Sequence, residues 1–305
     1  MLAALLKALA AQSYRDFEVV VVDDGSTDGS GNEARAASAW LPVRVVRTDG
    51  VGAVEARKRG IAASEGAILA FTDSDCVPDP LWLECAVAGF ADGVDLVQGR
   101  TEAARSVGLL ERTVWVTRED GLYATCNVLY RRDAFERAGG FDDAGTLLGF
   151  RPGAFGRGLG FGEDVMLGWK LARQGRTRFV PEAIVRHEVV RPPTTELVRR
   201  AWMAGAFPAL VRQVPELRKT QLQDRVFLGR RRIPMYATIA AALLGYRGLA
   251  LLGLVWWVGL RSRDALRGER VPVKAARGVA VECALDVVTA AALVAGSVRA
   301  RNVVL

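Results

Sequence analysis

The chain has 305 residues, half of them hydrophobic, which is enough for one sizeable domain and a smaller appendage. Its formal charge of +7 conceals a split: residues 1–196 carry 23 Lys/Arg against 28 Asp/Glu, and residues 197–305 carry 18 against 6. The basic second part points to nucleic acid or to an anionic membrane surface. The four cysteines, Cys76, Cys85, Cys126 and Cys283, are scattered and form no C-x-x-C pair. That excludes a disulfide frame and a cysteine zinc site, and suits reduced, mostly buried thiols in a cytosolic setting.

Residues 1–12 have helical periodicity, with Leu2, Leu5, Leu6 and Leu9 on one face. No cleavage site follows, so this stretch reads as a helix of the fold and not as a signal peptide. Phe17 to Val22 is expected as a buried strand ending at Asp23-Asp24-Gly25-Ser26, and Thr27 to Ala39 as a helix with Ser/Asp capping residues. Val43 to Val46 reads as a second strand, Val51 to Ser64 as a helix and Ala67 to Thr72 as a third strand. Thr125 to Tyr130 is strand-like and leads to a helix from Arg132 and a Gly139-Gly140-Phe141-Asp142 turn. Glycine dominates residues 143–162, which suits a lid over a site or a plain exposed loop. Glu163-Asp164 opens another helix, and Phe179 to Val185 leads to His187, the single histidine. Strands alternating with helices predict an α/β domain with a largely parallel sheet, which binds ligands at the carboxyl ends of its strands.

Acids gather at those ends. Asp73-Ser74-Asp75 closes the third strand, and side chains two residues apart in extended chain point the same way. Both carboxylates can therefore face one hard cation such as Mg2+ or Mn2+, which keeps sites open for substrate phosphates. Alone, the pattern is equally that of a wet strand end.

Six motifs in order remove that ambiguity. Asp23-Asp24-Gly25-Ser26-Thr27-Asp28, Ala56-Arg57-Lys58-Arg59-Gly60-Ile61, Asp73-Ser74-Asp75, Gly139-Gly140-Phe141-Asp142, Gly162-Glu163-Asp164 and Pro181 through His187 together resemble a family 2 glycosyltransferase of the GT-A fold, over about residues 1–190. The resemblance implies a nucleotide-diphospho-sugar donor and a divalent ion, Mn2+ or Mg2+. It places Asp23 and Asp24 at the nucleoside, one accepting the base N–H and its neighbour supporting the loop, Arg57 on the diphosphate, and Asp73 on ribose and, through the ion, diphosphate. Asp75 is implied as the direct metal ligand, with Asp73 and His187 completing the shell. Asp164 is implied as the general base of an inverting transfer, with Glu163 and Asn127 toward the acceptor. Trp169 reads as core packing.

Two features depart from the family pattern. Family members begin with an apolar strand just before the helix that starts this chain, so a start upstream of Met1 is expected. Lys58 stands where asparagine is common. The processive Gln-x-x-Arg-Trp signature is also absent, which favours single additions. A catalytically degenerate scaffold is one alternative. Another is a haloacid-dehalogenase-like phosphatase with Asp73 as nucleophile and Lys170 as its lysine; it leaves Asp23-Asp24 unexplained.

The sequence divides into a catalytic domain over 1–196, a basic amphipathic linker over 197–232 and a membrane-associated helical tail over 233–305. Residues 233–260 carry one charge, Arg247, and are long enough to cross hydrocarbon; residues 278–298 are a second span, with Asp286 a possible partner for Arg247. The basic stretch between them opposes a two-span hairpin and favours in-leaflet or re-entrant helices. A cell-membrane location is expected, with the catalytic domain on the cytoplasmic side and a glycan or lipid-linked acceptor. Nucleic acid is not expected as a partner, because the basic residues flank apolar stretches.

Overall fold

The computed structural model describes residues 1–142, 161–268 and 272–305, with the side chains of 264–268 and 272–274 left aside. The glycine-rich stretch read as a lid falls mainly outside the described residues. The chain forms two compact units: Met1–Arg105 with Thr113–Val189, and Ser106–Arg112 with Val190–Leu305. The segment read as a linker, 197–232, thus folds as part of the second unit, which also takes in a loop from the first half.

In the first unit, α1 (Leu2–Ala10) buries the expected stripe of Leu2, Leu5, Leu6 and Leu9. Strand β1 (Val19–Asp24) runs parallel to β2 (Val43–Thr48), with α2 (Ser30–Ala37) between them and α3 (Ala53–Ala62) following. A second sheet contains β3 (Ile68–Phe71), β4 (Cys76–Pro78), β5 (Val94–Ala103), β6 (Val128–Arg131) and β7 (Arg176–His187) in the order β3-β6-β5-β7-β4. Helices α4 (Trp82–Ala88), α5 (Arg132–Arg137) and α6 (Glu163–Gln174) complete the unit.

The fold is α/β, but the larger sheet is mixed. Only β5 and β7 are parallel in it; β3–β6, β5–β6 and β4–β7 are antiparallel. The alternation rule fails here because β3 passes through only Thr72-Asp73-Ser74-Asp75 into the short β4, with no helix between, and β6 enters from a long connection without a crossover helix. Among the described residues β1 pairs only with β2, and β3 only with β6. Val19 to Val22, expected fully buried, are half-buried.

Two side-chain clusters hold the unit. One packs the α1 leucines against Trp82, Leu83, Val97 and Leu129. The other is aromatic, with Tyr130, Phe135 and Phe141 in edge-to-face contact. Trp169 joins it, its ring edge-on to Tyr123 and its indole N–H on the Gly121 carbonyl at 2.9 Å, as a core residue would. Between Gly99 and Arg100 the β5–β7 ladder breaks register. A Cβ on Gly99 would lie 2.4 Å from the Ala183 carbonyl oxygen, so only glycine permits this approach.

The second unit is helical: α7 (Thr194–Met203), α8 (Phe207–Gln213), α9 (Leu217–Thr220), α10 (Ile233–Leu243), α11 (Arg247–Gly268) and α12 (Pro272–Ala300). Residues 233–260 are therefore not one span. They break at Leu244-Gly245-Tyr246, where Gly245 takes a φ of +80°, and fold back as a hairpin. One described helix is long and apolar enough to cross a membrane by length and composition, over Ala275–Ala300. Its acids are engaged inside the unit. Asp286 accepts from Arg261 Nε at 2.9 Å and from Trp257 Nε1 at 3.0 Å, and Glu282 pairs with Arg112 at 3.0 Å. Arg247 does not meet Asp286; it lies exposed beside the turn, and Arg261, one helical stretch further on, takes that place.

Candidate active site

The acids at the end of β1 have divided tasks. Asp24 accepts from the Thr48 hydroxyl at 2.6 Å and from the Val51 and Gly52 amides at 2.7 and 2.8 Å, fixing the β2–α3 loop. Those bonds, led by Thr48, hold its carboxyl below the usual range. Asp23 is buried, accepts from the Ser26 amide at 2.9 Å and pairs with Arg47. Burial pushes its carboxyl up, but the Ser26 and Arg47 contacts outweigh it and leave it low. Arg47 was not singled out in the sequence, although the parallel register sets it directly opposite Asp23.

The third-strand acids meet the far end of β7. Antiparallel pairing places Cys76 opposite His187, and the Glu188 amide donates to the Asp75 carbonyl at 2.9 Å. One ligand atom from each of Asp73, Asp75, Cys76 and His187 lies within 4.8 Å of the others. His187 Nδ1 sits 2.9 Å from the Glu188 carbonyl, and a carbonyl only accepts, so Nδ1 carries the proton. Nε2 faces Asp75 Oδ1 at 3.7 Å. Locking the outer nitrogen in this way is how a histidine is held to ligate a metal. Thr113, which sequence reasoning missed because it arrives from a distant loop, braces the ring with its hydroxyl 3.4 Å from Nδ1.

The donor set fits a hard divalent ion: two carboxylates and one imidazole. Cys76 does not add to it, since burial first and the Asp73 charge next push its thiol up to about 12. Burial also raises the Asp73 carboxyl, opposed by Arg57 and reinforced by Asp75. Such a pair is costly by itself and is relieved by a cation.

Helix α6 brings Glu163 and Asp164. Arg57 Nη1 donates to Glu163 Oε1 at 2.8 Å and lies 6.0 Å above the Phe141 ring. Asp164 accepts from the Val165 amide at 2.8 Å, an N-terminal helix contact. Burial, followed by the neighbouring Glu163 charge, raises its carboxyl to about 7. Glu163 Oε2 and the Tyr130 hydroxyl are buried without hydrogen-bond partners among the described residues. Tyr130 is a further residue that the sequence reading passed over as strand core.

Asn127 is not in this group. Its Oδ1 accepts from the Trp82 indole at 2.8 Å, and its Nδ2 donates to the Arg100 and Ala183 carbonyls, both at 2.9 Å. Its amide is fully used in clasping the β5–β7 bulge, so we do not carry it forward toward the acceptor. Lys170 bonds to Asp142 at 2.9 Å and to the Ala138 carbonyl at 3.2 Å, which leaves a phosphatase reading of Asp73 without its lysine.

The first unit thus carries, on an α/β fold, paired acids at strand ends, a histidine beside them and a raised carboxyl at a helix start. Residues 1–141 match the family Glycosyl transferase family 2. Glycosyltransferase AglE of Haloferax volcanii is 43% identical over 102 residues, covering 32% of this chain and 34% of AglE. Pre-mycofactocin glycosyltransferase of Mycobacterium tuberculosis is 29% identical over 223 residues, covering 67% of this chain and 44% of the relative. The chain thus spans less than half the length of these curated relatives. Among solved structures, S. aureus TarS 1-349 in complex with UDP superposes with a TM-score of 0.50 at 19% identity, covering 98% of this chain and 87% of TarS. That likeness establishes the fold.

Proposed function

We propose that this chain transfers single sugars from a nucleoside diphosphate donor to an acceptor hydroxyl, with inversion at the anomeric carbon. The observation that carries the reading is Asp164, a carboxyl raised to about 7 beside Arg57, whose charge also acts on Asp73 of the acidic cluster. A base with that affinity for protons suits neutral pH.

Asp23 receives the base N–H, with Asp24 holding the loop behind it. Arg57 faces the diphosphate, and Glu163, which holds the guanidinium, turns its unpartnered oxygen to the acceptor. Asp164 takes the acceptor proton as that oxygen attacks the anomeric carbon. The bond from that carbon to the diphosphate breaks, and its electron pair leaves on the diphosphate oxygen. Mn2+ or Mg2+, when held by Asp73, Asp75 and His187, supplies neutralising charge to the departing diphosphate.

The donor to assay first is a UDP-sugar, since UDP and UDP-GlcNAc complexes of TarS share the fold. We read the acceptor as lipid-linked or part of the cell envelope, with catalysis on the cytoplasmic side against an anionic membrane surface. The basic, apolar character of the second unit supports this.

The test is release of nucleoside diphosphate from a sugar donor with Mn2+, with product configuration read by NMR. Donor binding without turnover of any acceptor would favour the degenerate scaffold. Hydrolysis of simple phosphate monoesters would favour the phosphatase.

A further inference from the structure

The helical hairpin of the second unit has no polar outer face. From Ile233 to Leu260 the chain holds one charged residue, Arg247. In α11 only a seam through Ala250, Gly253, Trp257, Leu260 and Arg261 turns inward, at spacings of three and four residues. Gly253 lets α10 come close there, since a Cβ would lie 2.5 Å from the Thr238 hydroxyl. From Leu249 to Val258 everything around that seam is outward and apolar. Leu243 is 82% exposed, Leu252 68% and Val255 69%, with Leu244, Leu249, Leu251 and Trp256 beside them. A surface helix of a soluble protein shows charge on that side, and patches of this kind mark contact with a partner or a membrane.

Charge and length say which. Arg230 and Arg231 are exposed just ahead of α10, and Arg263 is exposed near the end of α11. Both feet of the hairpin are therefore basic, as an anionic headgroup layer requires and an apolar protein face does not. Exposed Tyr246 and Trp256 are the residue types that settle at that boundary. The eleven residues of α10 extend only about 16 Å, roughly half a bilayer's hydrocarbon. Standing upright, the hairpin would carry Arg247, beside the turn, to the middle of the membrane, where a charge is strongly disfavoured. Lying along the interface keeps Arg247 among headgroups and buries the leucines in acyl chains. Helix α12 is not needed for this role, because Asp286 and Glu282 tie it to Arg261, Trp257 and Arg112 within the unit.

We propose that the α10–α11 hairpin is the membrane-binding element, lying in one leaflet of an anionic bilayer without crossing it. The inference rests on the membrane-associated reading above and names the element and its depth. The test uses the full chain and flotation with phosphatidylcholine vesicles, with or without phosphatidylglycerol. The wild type is expected to float with the anionic vesicles. The triple variant Leu243→Asp, Leu252→Asp, Val255→Asp changes only exposed side chains and is expected to lose at least about tenfold in bound fraction with an unchanged circular dichroism melt. Arg230→Gln with Arg231→Gln should erase the preference for anionic lipid. In a Cys85→Ala, Cys283→Ala background, a polarity-sensitive dye on Leu252→Cys should shift blue, and one on Tyr246→Cys should be quenched by shallow but not deep lipid quenchers.

Absence of wild-type flotation would overturn the membrane reading together with this inference. Flotation retained by the triple variant, with a water-exposed dye at 252, would overturn the hairpin alone. Quenching at 246 only by deep quenchers would overturn the interfacial depth. A concentration-dependent dimer that the triple variant dissolves, without flotation, would assign the face to a second copy of the chain.

Discussion

The two units bury charge in opposite ways. In the second, Asp286 is ringed by Arg261, Trp257 and, at 3.9 Å, Arg232, while Glu282 lies between Arg112 and Arg261. Each acid has cationic or N–H partners in hand. In the first, burial drives Asp73 and Asp164 upward, and Glu163 and Tyr130 keep polar atoms without partners among the described residues. Buried acids met by cations in this way belong to structure. Carboxyls held at a cost belong to chemistry, because a ligand or a proton transfer supplies what the fold withholds.

Breaking that contrast begins with Asp164→Asn, which should lower turnover by about 10²–10⁴-fold while leaving nucleotide affinity intact, measured by kinetics and calorimetry. Unchanged turnover would remove Asp164 as the base. The same variant has a stability signature. The native carboxyl keeps its proton up to about 7, whereas the unfolded one releases it near 3.8, the ordinary value of an aspartate. The native state therefore holds more protons across that window, and stability falls as pH rises through it. Asn should flatten this fall in pH-dependent melts and raise the melting temperature at neutral pH. In the wild type, kcat/KM should climb with pH through about 7, since the base must be ionised.

The next largest effect is expected in the second unit. Asp286→Ala leaves Arg261 buried without its main partner and should cost about 3–5 kcal/mol, read by denaturant unfolding. Arg261→Met with Asp286→Leu removes both charges and should recover most of it. If the double variant is as unstable as the single, the network is doing more than neutralising itself. Thr113→Val should weaken Mn2+ binding by about 10-fold through loss of the bracing hydroxyl, measured by titration. Of similar size is Asn127→Ala, expected to cost about 1–3 kcal/mol of stability with donor affinity unchanged. A selective loss of acceptor affinity there would return Asn127 to the site.

Much of the first unit was legible from local pattern. The leucine stripe of α1, the β-branched runs of β1 and β2 and the acids at their ends are all short-range signals, and each formed where it was expected. What escaped depends on who pairs with whom. Nothing near Arg47 announces Asp23, nothing near Thr113 announces His187, and Asn127 reads as a site residue until Trp82 and Ala183 arrive. The mixed sheet escaped for the same reason, since alternation of elements does not encode strand direction. In the second unit, the 28 residues from 233 to 260, with Arg247 their one charge, satisfied a length rule for a span, yet Gly245 turned them back on themselves.

The break in the β5–β7 ladder has a consequence for distance. Gly99 pairs with Val180, yet the next residue, Arg100, pairs with Ile184, so Pro181-Glu182-Ala183 are taken up between. Had the ladder continued evenly, Arg100 would face Pro181 and His187 would lie three residues, about 10 Å, further along the sheet. It would then overshoot Asp75 altogether. Those three residues work as a spacer that sets the length of β7 against β5, and the histidine reaches the acidic pair because the strand is shortened by that amount.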